Sequence, residues 1–179
     1  MTVSIAVLGS SRAAPDSSDY QNALAIGREI ARRGGRVVCG GYGGVMEAVC
    51  RGAHEGNGTS LGVLLGDGEP NRWVTEAVRV PDLGARLRRL SEESAAAIFL
   101  PRGLGTLLEI SWMAESIAKG HVSPRPLVFL GLFWRRTVAL ALAEAVGPGA
   151  TSLALSIRFV ALPEQAVENA MSARESLPG

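Results

Sequence analysis

Glu109 and Arg86 are the two side chains of this sequence whose surroundings point most directly to chemistry. Residues 101–106 form a glycine-rich loop that would bring backbone amides and the positive end of a helix against a phosphate. Glu109 lies one helical turn beyond this loop. A carboxylate there would face the sugar of a bound nucleotide, where it could stabilise positive charge or orient a water molecule. Arg86, on an upstream helix, could pair with a phosphate or with Glu109.

Three turns rich in small residues, at positions 9–11, 40–44 and 101–106, could form the anion pocket. Each turn follows a predicted strand, and ligands of open α/β sheets bind at the carboxyl ends of the strands. No GxGxxG motif follows the first strand, which disfavours a nicotinamide or flavin dinucleotide. The residues predicted to bind the phosphate or the nucleotide are Gly9, Ser10, Gly41, Gly43, Gly44, Arg102, Gly103, Gly105 and Thr106.

Most of these residues also have a purely structural explanation. Glycines after a parallel strand can serve only to make a tight turn. Thr106 and Glu109 have the spacing of a capping box, in which the Glu109 side chain would bond to the backbone amide of Thr106. Arg86 shares an apolar helix face with Leu87 and Leu90, from which its guanidinium could extend into solvent.

The composition argues against several classes of protein. Of the 18 basic residues only Lys119 is a lysine, which disfavours a P-loop NTPase and a pyridoxal-phosphate enzyme. The formal net charge is +1 with no run of like charges, so we expect no nucleic-acid and no membrane partner. Cys39 and Cys50 match no metal-ligand spacing with the histidines, and we interpret them as small buried residues in a reducing compartment. Residues 1–8 predict a strand rather than a signal peptide, so we expect a cytoplasmic protein.

The pattern of apolar runs predicts an α/β fold in a single domain at residues 1–179, of which 47% are apolar. Several runs are apolar on both faces, as in a buried parallel sheet, and they alternate with helical segments. We therefore predict a doubly wound, mostly parallel, Rossmann-like sheet in a three-layer αβα arrangement. The predicted strands span residues 3–8, 36–39, 60–65, part of 73–80, 95–100, 127–130 and 157–161, and the predicted helices span residues 18–33, 45–55, 82–91, 106–119, 134–146 and 163–174.

The motif at residues 101–109 resembles the signature of the Lonely Guy family, formerly described as lysine-decarboxylase-like. That signature is PGGxGTxxE, and this chain has PRGLGTLLE, with Arg102 in place of the first glycine. Arg86 stands fifteen residues before the motif, which is the spacing of the family's upstream arginine. Residues 40–49 resemble the family's second glycine motif, and the resemblance covers about residues 3–131.

This resemblance implies a homodimer that cleaves the N-glycosidic bond of a nucleoside 5′-monophosphate, AMP or an N6-modified relative, to free base and ribose 5-phosphate. It implies that Arg86 and Glu109 are the catalytic pair, that Gly103 and Thr106 are among the phosphate ligands, and that no metal or organic cofactor is needed. We expect Arg102, a guanidinium where the signature has glycine, to bind the anion directly. A related branch resembles molybdenum-cofactor carriers, which use such a pocket without hydrolysis, so a carrier or other nucleotide-binding role stays open.

Overall fold

Seven parallel strands form the framework of the computed structural model, which describes residues 2–145 and 151–172. The strands are β1 (Ser4–Leu8), β2 (Arg36–Cys39), β3 (Thr59–Leu65), β4 (Glu76–Val80), β5 (Ala96–Phe99), β6 (Leu127–Leu130) and β7 (Ile157–Val160). They pair in the order β4-β3-β2-β1-β5-β6-β7, and every neighbouring pair is parallel. The helices are α1 (Ser18–Arg32), α2 (Val45–Glu55), α3 (Leu83–Glu92), α4 (Leu104–Ala118), α5 (Leu132–Ala145), α6 (Thr151–Ser156) and α7 (Pro163–Met171).

Helices cover both faces of this sheet, because apolar side chains alternate between the two faces along each strand. On one face, buried side chains of α1, α2 and α7 pack with Ile5 and Val7 of β1. On the other face, side chains of α3, α4, α5 and α6 pack with Ala6 and Leu8. The predicted α/β Rossmann-like fold, with a doubly wound sheet between two layers of helices, is confirmed.

The predicted elements differ from the observed ones mainly at their ends. Helix α4 begins at Leu104 rather than Thr106, and strand β4 begins at Glu76. Helix α6 was not predicted, because a helix of 6 residues is too short to produce a periodic apolar pattern. The predicted helix ends at residues 146 and 174, and the domain limits at residues 1 and 179, lie outside the described residues.

The direction in which the sheet is built reverses at β1. The chain adds β2, β3 and β4 on one side of β1 and then crosses over, so that β5 pairs with β1 on the other side. In doubly wound folds such a reversal leaves a crevice at the carboxyl ends of the two central strands. The turns that follow β1 and β5 therefore meet at the same edge of the sheet.

The backbones of α1 and α2 approach each other closely at two glycines. A Cβ atom added to Gly27 would lie 2.2 Å from the carbonyl oxygen of Val49, and one added to Gly52 would lie 2.1 Å from that of Leu24. We expect Gly27→Ala to lower the free energy of unfolding by about 3 kcal/mol, because the two helices must move apart to admit the methyl group. Denaturant unfolding of the purified variant measures this loss.

Gly84→Ala is the matched control for that substitution. Gly84 also lies in a helix, but the atom nearest to its added Cβ is Oδ1 of Asp82, 3.2 Å away, which accepts a hydrogen bond from the Ala85 amide and needs to shift by only a few tenths of an ångström. Alanine favours the helical conformation by about 1 kcal/mol over glycine, so this variant is expected to keep its stability or gain slightly. Equal stabilities of the two variants would contradict the close approach of α1 and α2.

Candidate functional site

A cavity of about 540 Å³ opens where the turns after β1 and β5 meet, which is large enough for a small-molecule ligand. Its walls come from the turn after β1, the turn between β2 and α2, helix α3 and the first turns of α4. The lining residues are Gly9, Ser10, Ser11, Arg12, Tyr42, Met46, Arg86, Gly103, Leu104, Gly105, Thr106 and Glu109. A further cavity of about 440 Å³ between α3 and α4 contains none of the predicted site residues.

The turn after β2 packs directly against the turn after β1. Gly44 has a φ angle of +64°, and a Cβ atom there would lie 2.4 Å from the carbonyl oxygen of Ser10. The amide of Val45 donates a hydrogen bond of 3.0 Å to that same oxygen. Gly41 has a φ angle of +77° and faces away from the cavity, since its added Cβ would contact Leu64 at 2.7 Å. These glycines give the turn its shape, and neither lines the cavity.

Helix α4 presents uncapped backbone amides to the cavity. Its N-cap residue is Gly103, with a φ angle of 103°, and no side chain caps the helix. The first amides of the helix are therefore free to bind an anion, and the helix dipole favours negative charge at this end. Thr106 is buried in the same first turn, so its hydroxyl lies beside these amides.

Glu109 is a buried carboxyl group, 9% exposed, that lines the cavity. No residue within 2–145 or 151–172 donates a hydrogen bond to it, and the capping box with Thr106 is absent because Gly103 occupies the N-cap position. Burial raises the pKa of Glu109 from its ordinary value of 4.5 to about 7, although the nearby Arg86 guanidinium acts to lower this pKa. A carboxyl group near half-protonation at neutral pH is suited to general acid–base chemistry.

Arg86 points into the molecule rather than into solvent. Its Nε donates a hydrogen bond of 3.0 Å to the carbonyl oxygen of Val63, and Nη2 donates one of 3.4 Å to that of Gly40. The guanidinium also lies over the Tyr42 ring, 5.4 Å from the ring centroid. A Cβ atom at Gly40 would lie 1.8 Å from Nη2, so glycine at this position makes room for the guanidinium. Hydrogen bonds to backbone carbonyl groups thus hold the Arg86 guanidinium beside Glu109.

Arg102 lies in the turn before α4, but it does not line the cavity. Its Nη2 lies 2.8 Å from Oδ2 of Asp19, and its Nε donates a second hydrogen bond of 3.2 Å to the same oxygen. Asp19, in the first turn of α1, is 5% exposed. The direct contact between Arg102 and an anion, expected from the sequence, stays a prediction, and in the structure the guanidinium pairs with a protein carboxylate.

The structure brings most of the predicted site residues together around one cavity. Gly9, Ser10, Arg86, Gly103, Gly105, Thr106 and Glu109 line it, whereas Gly41, Gly43, Gly44 and Arg102 do not. Sequence reasoning missed Arg12 and Met46, and it did not single out Ser11, Tyr42 and Leu104 within the three predicted turns. Their position within or beside the three glycine turns was the available signal, but a tyrosine or methionine there carries no chemical signature of its own.

The described residues form neither a metal-binding cluster nor a membrane-spanning helix. Within residues 2–145 and 151–172, no three His, Cys, Asp or Glu side chains are grouped as a metal site would require. No helix in the described part of the chain combines the length and the apolar character needed to cross a bilayer.

Comparisons with known proteins identify relatives of the chain along most of its length. The family model described as the SLOG cluster4 family matches residues 2–120. An uncharacterised protein from Archaeoglobus fulgidus is 31% identical over 116 residues, which are 64% of this chain and 76% of that protein. The molybdenum cofactor carrier protein MCP from Chlamydomonas reinhardtii has a similar structure, with a TM-score of 0.79, 22% identity and coverage of 98% of this chain and 99% of that one.

The molybdenum cofactor binding protein from Rippkaea orientalis is similar to a comparable degree, with a TM-score of 0.75 and 24% identity, covering 98% of this chain and 97% of that one. At these identities the two solved structures establish the shared fold. The family model, which spans more than half of the chain, establishes the family.

Proposed function

The chain belongs to the SLOG cluster4 family, and from that premise we propose that it hydrolyses the N-glycosidic bond of a nucleoside 5′-monophosphate. The observation that carries this proposal is the buried Glu109 carboxyl, with its pKa raised to about 7, in the same cavity as the uncapped amides of α4. The products would be the free base and ribose 5-phosphate. AMP or an N6-modified AMP is the substrate that the resemblance to the Lonely Guy family favours.

The 5′-phosphate of the substrate would bind at the start of α4. Gly103 and Gly105 leave the backbone amides accessible to phosphate oxygens, and the Thr106 hydroxyl adds a further donor. The turn after β1 contributes Gly9 and Ser10 from the facing wall. Glu109 lies on the same helix, about one turn beyond its start. With the phosphate held there, the Glu109 carboxyl would lie next to the ribose ring.

Glu109 would act on the ribose as the glycosidic bond breaks. The bond between C1′ and the base nitrogen breaks with its electron pair on the base, and positive charge develops on the sugar. An ionised Glu109 stabilises that charge and accepts a proton from the water whose oxygen binds C1′. The departing base takes up a proton, so that the sum of the reaction is addition of one water molecule. A pKa of about 7 leaves much of Glu109 ionised at neutral pH.

Arg86 would keep this carboxyl in a reactive state. Its positive charge opposes the effect of burial on the pKa of Glu109, and its bonds to the carbonyls of Val63 and Gly40 fix the guanidinium in the cavity wall. The reaction needs no metal and no organic cofactor in this scheme. The protein would act as a homodimer, which the exposed apolar side chains of α4, Leu104, Leu107 and Leu108, support.

Hydrolysis of AMP without hydrolysis of adenosine is the expected result for the purified protein. The phosphate anchors the substrate, so its removal is expected to lower kcat/KM about a thousandfold or more, since charge-assisted hydrogen bonds are worth about 1.5–3 kcal/mol each and several are lost together. Chromatographic detection of free adenine in both reactions makes the comparison. Equal rates on AMP and adenosine would contradict the phosphate anchor.

Carriage of the molybdenum cofactor is a second candidate for this chain. The fold is shared along 98% of the chain with two proteins whose names give that cofactor as their ligand, and the cofactor's pterin bears a phosphate that the start of α4 could hold. Tight binding of molybdopterin, together with no release of base from any nucleoside monophosphate, would favour the carrier over the hydrolase. Base release from AMP would favour the hydrolase.

A further inference from the structure

Arg102 has an unusual backbone conformation for a residue with a side chain. Its φ angle is +69°, and among the described residues only Asn57 is a second non-glycine residue with positive φ. Side chains with a Cβ atom disfavour this region by about 1–2 kcal/mol, which is why the related signature has glycine here. Some interaction must therefore hold residue 102 in this conformation.

The ion pair with Asp19 is the interaction that holds it. Two nitrogens of the guanidinium contact one carboxylate oxygen, at 2.8 and 3.2 Å, and they join helix α1 to the turn before α4. Asp19 is buried, with its side chain 8% exposed, whereas the Arg102 side chain is 63% exposed. The carboxylate is thus the fixed partner, and the arginine reaches across to it.

The turn that this pair holds is the same turn that begins the anion-binding end of α4. Gly103 follows Arg102 directly and is the N-cap residue of the helix. A Cβ atom on Gly103 would lie 2.9 Å from the Thr106 hydroxyl oxygen and 3.6 Å from Cα of Ser10, so the turn packs closely on the first turn of α4 and on the turn after β1. The backbone of residue 102 thus leads directly into the first amides of α4.

We propose that Arg102 is a positioning residue, whose ion pair with Asp19 fixes the phosphate-binding turn in place of the glycine that the signature has at this position. This inference rests on the proposed function, because it assigns a task within the same anion pocket. It differs from direct binding of the anion by Arg102, since the guanidinium acts through the backbone of the turn.

Ribose 5-phosphate, the expected product, is the probe for this role, with affinity measured by isothermal titration calorimetry. We expect Asp19→Asn and Arg102→Ala each to weaken its binding by about tenfold, the lower end of what one charge-assisted hydrogen bond is worth. Arg102→Gly is expected to bind within about threefold of wild type, because glycine adopts positive φ without strain. Adding Arg102→Gly to Asp19→Asn should restore the affinity. If Asp19→Asn weakened binding only by destabilising the whole protein, the second substitution would not restore it.

Asp16→Asn is the matched control, because it removes an exposed carboxylate just before α1 and is expected to leave the affinity unchanged. Unchanged binding in both Asp19→Asn and Arg102→Ala would overturn the positioning role alone. Weaker binding in Arg102→Gly with unchanged or tighter binding in Asp19→Asn would also overturn it, in favour of direct contact of Arg102 with the anion.

If Asp19→Asn does not fold, the comparison of Arg102→Ala with Arg102→Gly decides the question. Absence of binding to the wild-type protein would overturn the anion pocket of the proposed function and the positioning role together.

Discussion

Glu109→Gln is expected to lower kcat for AMP hydrolysis by about a thousandfold, within the range that loss of a general acid–base group produces. Glutamine has the size of glutamate but cannot take a proton from water and cannot stabilise positive charge on the ribose. The affinity for ribose 5-phosphate is expected to stay within about threefold of wild type, because the phosphate ligands are amides of α4 and remain in place. Steady-state kinetics and calorimetry on the same preparation measure both quantities.

Glu115→Gln is the matched control for this substitution. Glu115 lies on the same helix, but its side chain is 65% exposed and contacts only Lys119 among the charged groups of the described chain, at 3.7 Å. Exposed ion pairs of this kind contribute about 0–1 kcal/mol, so the control is expected to keep full activity. A Glu109→Gln protein with wild-type kcat would remove this residue from the mechanism.

The same substitution is expected to change how stability depends on pH. In the unfolded chain Glu109 has its ordinary pKa of 4.5, and in the folded protein its pKa is about 7. Between these values the folded state holds a proton that the unfolded state releases, so the free energy of unfolding of the wild type falls as pH rises through this window. The fall is about 3 kcal/mol and is complete above roughly pH 8. Glu109→Gln lacks this contribution, so its stability relative to wild type should increase between pH 4.5 and 8 in denaturant unfolding.

The sheet and its flanking helices could be predicted from the sequence because their signal is local. Runs such as those at β5 and β6 are apolar on both faces, and this pattern occurs in strands covered by helices on each side. Glu109 and the start of α4 belong to one short motif, so their proximity was encoded within a few residues. Arg86 was identified because a charged residue on an apolar helix face needs a buried polar partner.

The contacts that give these residues their properties could not be predicted, because they join distant parts of the chain. Arg102 and Asp19 are 83 residues apart, and nothing near Arg102 indicates that its charge is neutralised by α1. Arg86 and Gly40 are 46 residues apart, so no local pattern distinguishes this glycine from its neighbours. The capping-box spacing of Thr106 and Glu109 was ambiguous until the N-cap residue was located at Gly103.

Arg86→Ala is expected to lower kcat/KM for AMP by about a thousandfold at pH 7, because it removes a charge from the cavity wall and alters the Glu109 carboxyl as well. Without the guanidinium, burial acts unopposed and the pKa of Glu109 rises further above about 7. Because the ionised carboxylate is the active form in the proposed reaction, the rising limb of the pH–rate profile should move to higher pH in this variant. Ribose 5-phosphate should also bind more weakly, since Arg86 lines the same cavity. Arg89→Ala is the control on the same helix, since Arg89 is half-exposed and pairs with Glu93 at 2.6 Å outside the cavity. A pH–rate profile of Arg86→Ala that coincides with that of wild type would contradict the coupling between Arg86 and Glu109. A displaced rising limb in Arg86→Ala, with an unaltered profile in Arg89→Ala, would assign the shift to the Arg86 guanidinium.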